Sequence, residues 1–145
     1  MKKLLIALIT VLFLLILAGC TSTSYETEVI TDRFFVRQIS DIIRELDRWE
    51  GRSIQLDGSF RHINLPTGEV GYFVIRYASD GCCDIFTVGL EVCFNNLDIE
   101  PFQENAWVQA IGVLEVRDSW RQNQPTLVLT SIEELAAQGR LFVQP

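Results

Sequence analysis

The sequence predicts a mainly β domain: a small five-stranded OB-like barrel, with one amphipathic helix before it and a short helix at its C-terminal end. Two observations support this fold class. The spacing of apolar residues is helical up to Trp49 and then changes to an alternation with a period of two. Five alternating segments follow, and Gly58 and Gly112 lie inside two of them. Because glycines inside strands are typical of the corners of small barrels, we favour a barrel over a sandwich of two sheets.

The amphipathic helix is predicted over residues 31–49. Thr31 or Asp32 is expected to cap its first turn, and Gly51 lies where a left-handed residue commonly ends a helix. Residues of opposite charge, three or four apart, form its solvated face. We expect the helix to close one end of the barrel with its apolar face, which consists of Phe35, Ile39, Ile42, Ile43, Leu46 and Trp49.

The strands are predicted, from the alternation of side chains between two faces, at residues 53–61, 71–77, 88–94, 107–116 and 126–132. Trp49, Phe60 and Trp107 are assigned to the core.

A short helix is predicted after the last strand. Ser131 and Glu134 have the spacing of a capping box, and Gly139 is placed to end the helix. The apolar residues 141–143 that follow are expected to dock against the body of the domain.

The first 19 residues are predicted to be a lipoprotein signal peptide. Lys2 and Lys3 precede an apolar run over residues 4–17, which is shorter than the roughly 20 residues of a spanning helix. The run ends in Leu-Ala-Gly before Cys20, a sequence that resembles the bacterial lipobox. The resemblance implies that the Cys20 thiol receives diacylglycerol, that cleavage leaves Cys20 at the N-terminus, and that acyl chains such as palmitate anchor the protein. An ordinary secretory signal is the alternative.

A lipidated Cys20 divides the chain into the signal peptide, a polar tether over residues 20–30 and one OB-like domain over residues 31–145. It also places the domain on the outer leaflet of the bacterial cell membrane. Thr21, rather than Asp, follows the cysteine, so export to an outer membrane is open where the host has one.

The chain is acidic, with twelve Lys and Arg against nineteen Asp and Glu and a net charge of −7. This charge repels phosphate backbones, which excludes non-specific nucleic-acid binding. A single His and the lack of a Ser-centred motif argue against a hydrolytic triad or a multi-His metal enzyme. We therefore expect a protein that binds rather than catalyses.

The most unusual local feature is Cys82-Cys83-Asp84, between the second and third predicted strands. As a candidate zinc site, the two thiolates need further donors, for which Asp84, Cys93 and His62 are available. Zinc ligands are usually spaced by two or more residues, and adjacent cysteines do not have this spacing.

A disulfide is the second interpretation of these cysteines. Adjacent Cα atoms lie about 3.8 Å apart, whereas bridged Cα atoms usually lie about 4.4–6.8 Å apart. A bridge from Cys82 or Cys83 to Cys93 is therefore easier than one between neighbours. Reduced, buried thiols are a third interpretation. Thiol redox catalysis is a fourth, although no Cys-x-x-Cys motif is present.

Three other polar or aromatic side chains have candidate roles. Trp120 and Arg121, in the loop before the last strand, are a candidate contact for a partner. Arg76, on the second strand, is expected to pair with Asp84 or Glu91.

Residues 72–77, 81–84, 89–92 and 107–112 together resemble a bacterial family of uncharacterised extracytoplasmic domains. These segments carry an aromatic-Val-x-Arg strand, a Cys-Cys motif with a nearby Asp, a Gly-Leu strand and a Trp-Val-x-x-x-Gly strand. Phe35 and the Trp49-x-Gly51 motif match its upstream pattern, so the resemblance covers roughly residues 35–132. Some members resemble the soluble subunit of a two-subunit permease linked to metal ions, zinc among them, and others are stand-alone lipoproteins.

The resemblance implies a lipid-anchored binding or accessory lipoprotein, related to metal or associated with a membrane permease through Cys82-Cys83-Asp84. In permease-linked members two alanines separate the cysteines from the Asp, whereas here Asp84 follows Cys83 directly. One alternative function is a structural lipoprotein of the envelope whose cysteines staple a loop. The other is a thiol-disulfide redox protein.

Overall fold

The computed structural model describes residues 26–79, 81, 84–95, 97 and 102–144. These residues are mainly β, as predicted. Two helices, α1 (Phe35–Arg44) and α2 (Leu46–Trp49), follow a 3-10 turn at Asp32–Phe34. The strands are β1 (Glu28–Val29), β2 (Ser53–Asn64), β3 (Val70–Ser79), β4 (Ile85–Cys93), β5 (Trp107–Arg117), β6 (Gln124–Glu134) and β7 (Phe142–Val143).

All seven strands belong to one sheet, in the order β1-β2-β5-β6-β4-β3-β7, and β2 also pairs with β3. Strand β2 pairs with β5 up to Ser59 and with β3 from Ser59 onward, both antiparallel. Strands β4 and β6 pair in parallel over three residues. The five predicted strands correspond to β2–β6, whereas the two-residue strands β1 and β7 have no counterpart in the sequence pattern.

The core lies on the face of the sheet to which alternate residues of β2, β4, β5 and β6 point. Trp49, Phe60 and Trp107 are buried in the structure, as predicted. The apolar face of α1 covers this core, with Phe35, Ile39 and Ile42 fully buried. The described strands, helices and core residues lie within residues 26–144, so a chain of residues 26–145 contains all of them.

The glycines inside strands lie where another strand passes close to the backbone. A Cβ atom on Gly58 would lie 2.8 Å from the carbonyl oxygen of Ile75, and one on Gly112 would lie 2.4 Å from that of Val128. The β5–β6 register shifts between Ile111 and Gly112, which is the signature of a β-bulge. Both positions therefore exclude a side chain.

The predicted helix is present but interrupted at Glu45, and its predicted cap is wrong. Neither the 3-10 turn nor α1 has a side-chain hydrogen bond at its N-cap. Asp32 instead accepts a hydrogen bond from Arg76, a partner that helix-capping patterns do not consider. Gly51 has a φ of +79° and ends the helical region as predicted.

The predicted C-terminal helix is wrong. Strand β6 continues through Ser131 and Glu134, which pair with Ile111 and Val108 of β5. This pairing gives the backbone of residues 131–134 hydrogen-bond partners in β5. A capping-box pattern considers only residues close in sequence and contains no information on such partners. The residues that follow are not helical, and Val143 packs into the core after β7 joins β3 in parallel.

The folded domain also begins earlier than residue 31, where the tether was predicted to end. Glu28 and Val29 pair in parallel with β2, and Ile30 is 3% exposed. Among the described residues, no helix is long and apolar enough to cross a membrane. The signal peptide and Cys20 lie outside the described residues.

Candidate functional site

The Cys82-Cys83-Asp84 segment connects β3 to β4. Cys82 and Cys83 lie outside the described residues, and Asp84 directly precedes β4. The last pair of the β3–β4 ladder is Ser79 with Ile85, so Asp84 lies at one end of the sheet.

Cys93 lies at the opposite end of β4. Its distance from Ile85 is about 27 Å, because a strand rises about 3.4 Å per residue. The strand is continuous between them and paired with β3 from Ile85 to Val92. Cys93 is a free thiol in the structure. The predicted disulfide from Cys82 or Cys83 to Cys93 involves cysteines outside the described residues and stays a prediction, whereas Asp84 is separated from Cys93 by the length of β4.

The environment of the Cys93 thiol is set by β5. Arg117 Nη1 donates a hydrogen bond to Cys93 Sγ at 3.2 Å and is also paired with Glu115. The hydrogen bond to Glu115 raises the pKa of Arg117 above its ordinary value, and the charge of the Cys93 sulfur acts in the same direction.

His62 also lies away from the Cys-Cys loop. It pairs with Tyr72, which pairs with Val92, so His62 and Cys93 share one end of the sheet. The His62 ring makes a 3.0 Å hydrogen bond between Nε2 and the carbonyl oxygen of Phe102, and its Nδ1 lies 3.9 Å from Glu104. These contacts make His62 a structural residue that holds the segment before β5.

Among the candidate zinc ligands that the structure describes, Asp84 is not brought together with His62 and Cys93. Within the described part of the chain, no group of three or more His, Cys, Asp and Glu side chains is placed to hold a metal ion. The length of β4 separates His62 and Cys93 from Asp84. A zinc site at Cys82 and Cys83 falls on residues outside the described part of the chain and stays a prediction.

Arg76 points into the core rather than towards the loop, and its predicted pairing with Asp84 or Glu91 is wrong. Its side chain is 1% exposed and forms an ion pair with Asp32 at 2.5 Å. Its Nε donates to the carbonyl oxygen of Asp57 at 2.8 Å. Glu91 instead accepts a hydrogen bond from Ser119.

Aromatic rings complete the Arg76 site. The guanidinium carbon lies 4.6 Å from the ring centre of Phe35 and 5.1 Å from that of Trp107. Nη1 also reaches the carbonyl oxygen of Arg140 at 3.4 Å. One buried cation thus joins β3 to the segment before α1, to β5 and to the C-terminal segment, which makes it a structural clamp.

An apolar groove lies on the opposite face of β3 and β4 from the core. It has a volume of about 310 Å³. Its floor includes Phe73 and Ile75, which are 9% and 5% exposed although they point away from the core. Side chains from the β2–β3 turn form one wall and the β5–β6 loop forms the other, and the groove-lining residues include Ile63, Leu65, Thr87 and Trp120.

The polar groups of this groove are few and uncharged. The lining contains Asn64 and Thr87 but no Asp, Glu, Lys or Arg among the described residues. Trp120 lines the groove, and its Nε1 is buried without a hydrogen-bond acceptor in the described part of the chain. The guanidinium of Arg121 lies 4.1 Å from the Trp120 ring centre. The predicted contact pair thus lies beside a concave surface.

The sequence contains a signal for the groove. Residues 72–75 of β3 are apolar on both faces, which indicates a strand that is covered on both sides. What covers the second face depends on the β2–β3 turn and on the Trp120 loop, which are distant in sequence.

A family model described as the DUF1980 C-terminal domain matches residues 21–144. The matched region is longer than residues 35–132, over which the sequence resembles a family of uncharacterised domains. The match to a domain family of this kind agrees with that resemblance. The chain has no match among curated proteins.

Proposed function

The chain belongs to the DUF1980 C-terminal domain family, and from this premise we propose that it is a lipid-anchored, non-enzymatic binding domain outside the cytoplasmic membrane. The groove over β3 and β4 is the observation that carries the proposal. Ligand sites are typically concave, mostly apolar and supplied with a few polar groups, and the groove has these properties.

We also propose that β2–β6 form the OB-like barrel. Pairing passes from β2 through β5, β6, β4 and β3 and returns to β2, which supports closure. In OB folds, ligands bind across the face of the second and third strands, between the first and fourth interstrand loops. The groove has the corresponding position, between the β2–β3 turn and the Trp120 loop.

Filling the groove should abolish binding of a neutral hydrophobic probe. We expect Nile red fluorescence to rise with the domain of residues 26–145, and Thr87→Trp to remove most of this rise, because the indole would occupy the groove. Ser131→Trp, at an exposed strand position outside the groove, is the matched control and should bind as the unmodified domain does. Equal binding by both variants would contradict the proposed site.

Lipidation of Cys20 is the second part of the proposal. Cells given labelled palmitate should incorporate it into the full chain, and Cys20→Ala should abolish incorporation and release the protein from the membrane, because Cys20 is the acceptor thiol of the lipobox-like sequence. Cys93→Ala is the control and should remain labelled. A wild-type chain without label would contradict the anchor.

Association with a membrane permease is a second candidate function. Next to the Cys-Cys loop, Ile85 and Phe86 are 62% and 40% exposed, and Phe142 is 59% exposed against Tyr77. Such apolar exposure near one loop is typical of a protein-binding surface. A photo-crosslinker at position 85 should capture an integral membrane protein, whereas one at position 70, equally apolar at the other end of β3, should not.

Zinc binding and thiol redox chemistry at Cys82 and Cys83 are the alternative proposals, and Cys93 enters them as a free thiol. Iodoacetamide should label Cys93 to the same extent before and after reduction, because its thiol is free. Peptide mass measurement checks this result, and labelling that requires reduction would show that Cys93 is bridged.

A further inference from the structure

We infer that the groove binds an uncharged acyl lipid, with the hydrocarbon chain over Phe73 and Ile75 and an ester or amide carbonyl on the Trp120 indole N–H. This inference rests on the proposed binding function and names its ligand class. The apolar floor supplies burial for a chain, and the one unpartnered indole donor of the groove lining calls for one acceptor.

Charge excludes the ionic alternatives. The groove lining offers no carboxylate to a cation among its described residues. An anion would meet Arg121 but also Asp118 and Glu91 of the same region, in a chain whose net charge is −7. Burying an unpaired charge is costly, so an uncharged ligand fits this surface best.

The hydrogen-bonding capacity of the groove favours an acyl chain over a peptide. A peptide backbone carries a donor and an acceptor at almost every residue, and each needs a partner when it is buried. The main chains of β3 and β4 are already paired with each other over the groove floor. An acyl chain with one carbonyl leaves no backbone group unsatisfied.

The Trp120 side chain must turn for this contact. Its Nε1 is covered by protein and has no acceptor in the described residues, a state that is unfavourable for a buried donor. A ligand carbonyl that reaches Nε1 as the indole turns relieves this cost. Trp120 lies in the loop between β5 and β6, outside the strand pairing of the sheet.

The test is displacement of Nile red from the domain of residues 26–145 by three ten-carbon ligands. Methyl decanoate should compete best, decane about fivefold less well because it lacks the acceptor, and decanoate less well because it is charged. Trp120→Phe should remove the advantage of the ester over decane, measured as the ratio of their two competition constants within the variant. Trp49→Phe, which removes another buried, unpartnered indole N–H far from the groove, should change neither.

The outcomes separate the inference from the function beneath it. Nile red binding that is blocked by Thr87→Trp, but resists all three ten-carbon ligands, overturns the acyl ligand and leaves the binding site. Absence of Nile red binding overturns both. Equal competition by ester and decane, or displacement only by the capped peptide acetyl-Leu-Leu-amide, also overturns the inference.

A further arm identifies the source of the acyl chain. Short-chain phosphatidylcholine, used below its micellar concentration, is neutral overall and carries the same esters. Displacement by this phospholipid as well as by methyl decanoate supports a membrane lipid as ligand. Displacement by methyl decanoate alone supports a free single-chain ester, and displacement by neither overturns the inference.

Discussion

Replacing Arg76 by Ala should lower the free energy of unfolding by about 3 kcal/mol. The substitution removes a fully buried cation that hydrogen-bonds the carbonyl oxygen of Asp57 and packs between two aromatic rings. Losing one partner of a buried pair typically costs about 3–5 kcal/mol. We place the effect at the lower end because Asp32 is 54% exposed and can turn to water. Urea unfolding of residues 26–145, followed by circular dichroism, measures the change.

Two variants identify the cause of the Arg76 effect. Arg37→Ala breaks an ion pair with Asp41 in which the arginine is 75% exposed, so it should cost less than about 0.5 kcal/mol. Asp32→Asn keeps an acceptor for Arg76 and should cost about 1 kcal/mol. Equal losses in Arg76→Ala and Arg37→Ala would show that the buried cation is not a clamp.

Replacing Gly89 by Ala should destabilise the domain by about 3 kcal/mol or prevent folding. A Cβ atom at this position would lie 2.1 Å from the carbonyl oxygen of Val74 and 2.8 Å from the Cα of Ile75. Both contacts are with backbone, so relief requires β3 and β4 to separate. Overpacking commonly costs about 1–3 kcal/mol, and a clash with backbone belongs at the upper end of this range.

Gly68→Ala is the matched comparison. A Cβ atom on Gly68 would meet no other atom within 4 Å, but the residue has a φ of +88°, so its substitution should cost only about 1–2 kcal/mol of backbone strain. Urea midpoints of both variants, with yields of folded protein, distinguish steric exclusion at Gly89 from the general cost of replacing glycine. If the Gly89→Ala domain is as stable as the unmodified one, the close approach of the β3 backbone to Gly89 is contradicted.

Part of the candidate site follows from local sequence. Trp120 and Arg121 are identified as a contact pair from their place in a loop, and the structure puts them beside the groove. Asp84 lies further from Cys93 than the sequence pattern suggests, because β4 is predicted from residue 88 and begins at Ile85. The three extra residues extend the strand that separates the two positions. His62 is similarly predicted at the end of a strand that in fact continues to Asn64.

The β class, the helix and the approximate limits of the five long strands follow from residue order alone, because periodicity and turn residues act between near neighbours in the chain. Three features are decided only by the tertiary structure. They are the ion pair of Arg76, the strand conformation at residues 131–134, and the wall that Trp120 adds beside Phe73 and Ile75. Each requires segments far apart in the chain to meet in one register, and strand curvature and core packing set that register. The groove therefore forms only when the sheet is assembled, and the sequence of no single strand predicts it.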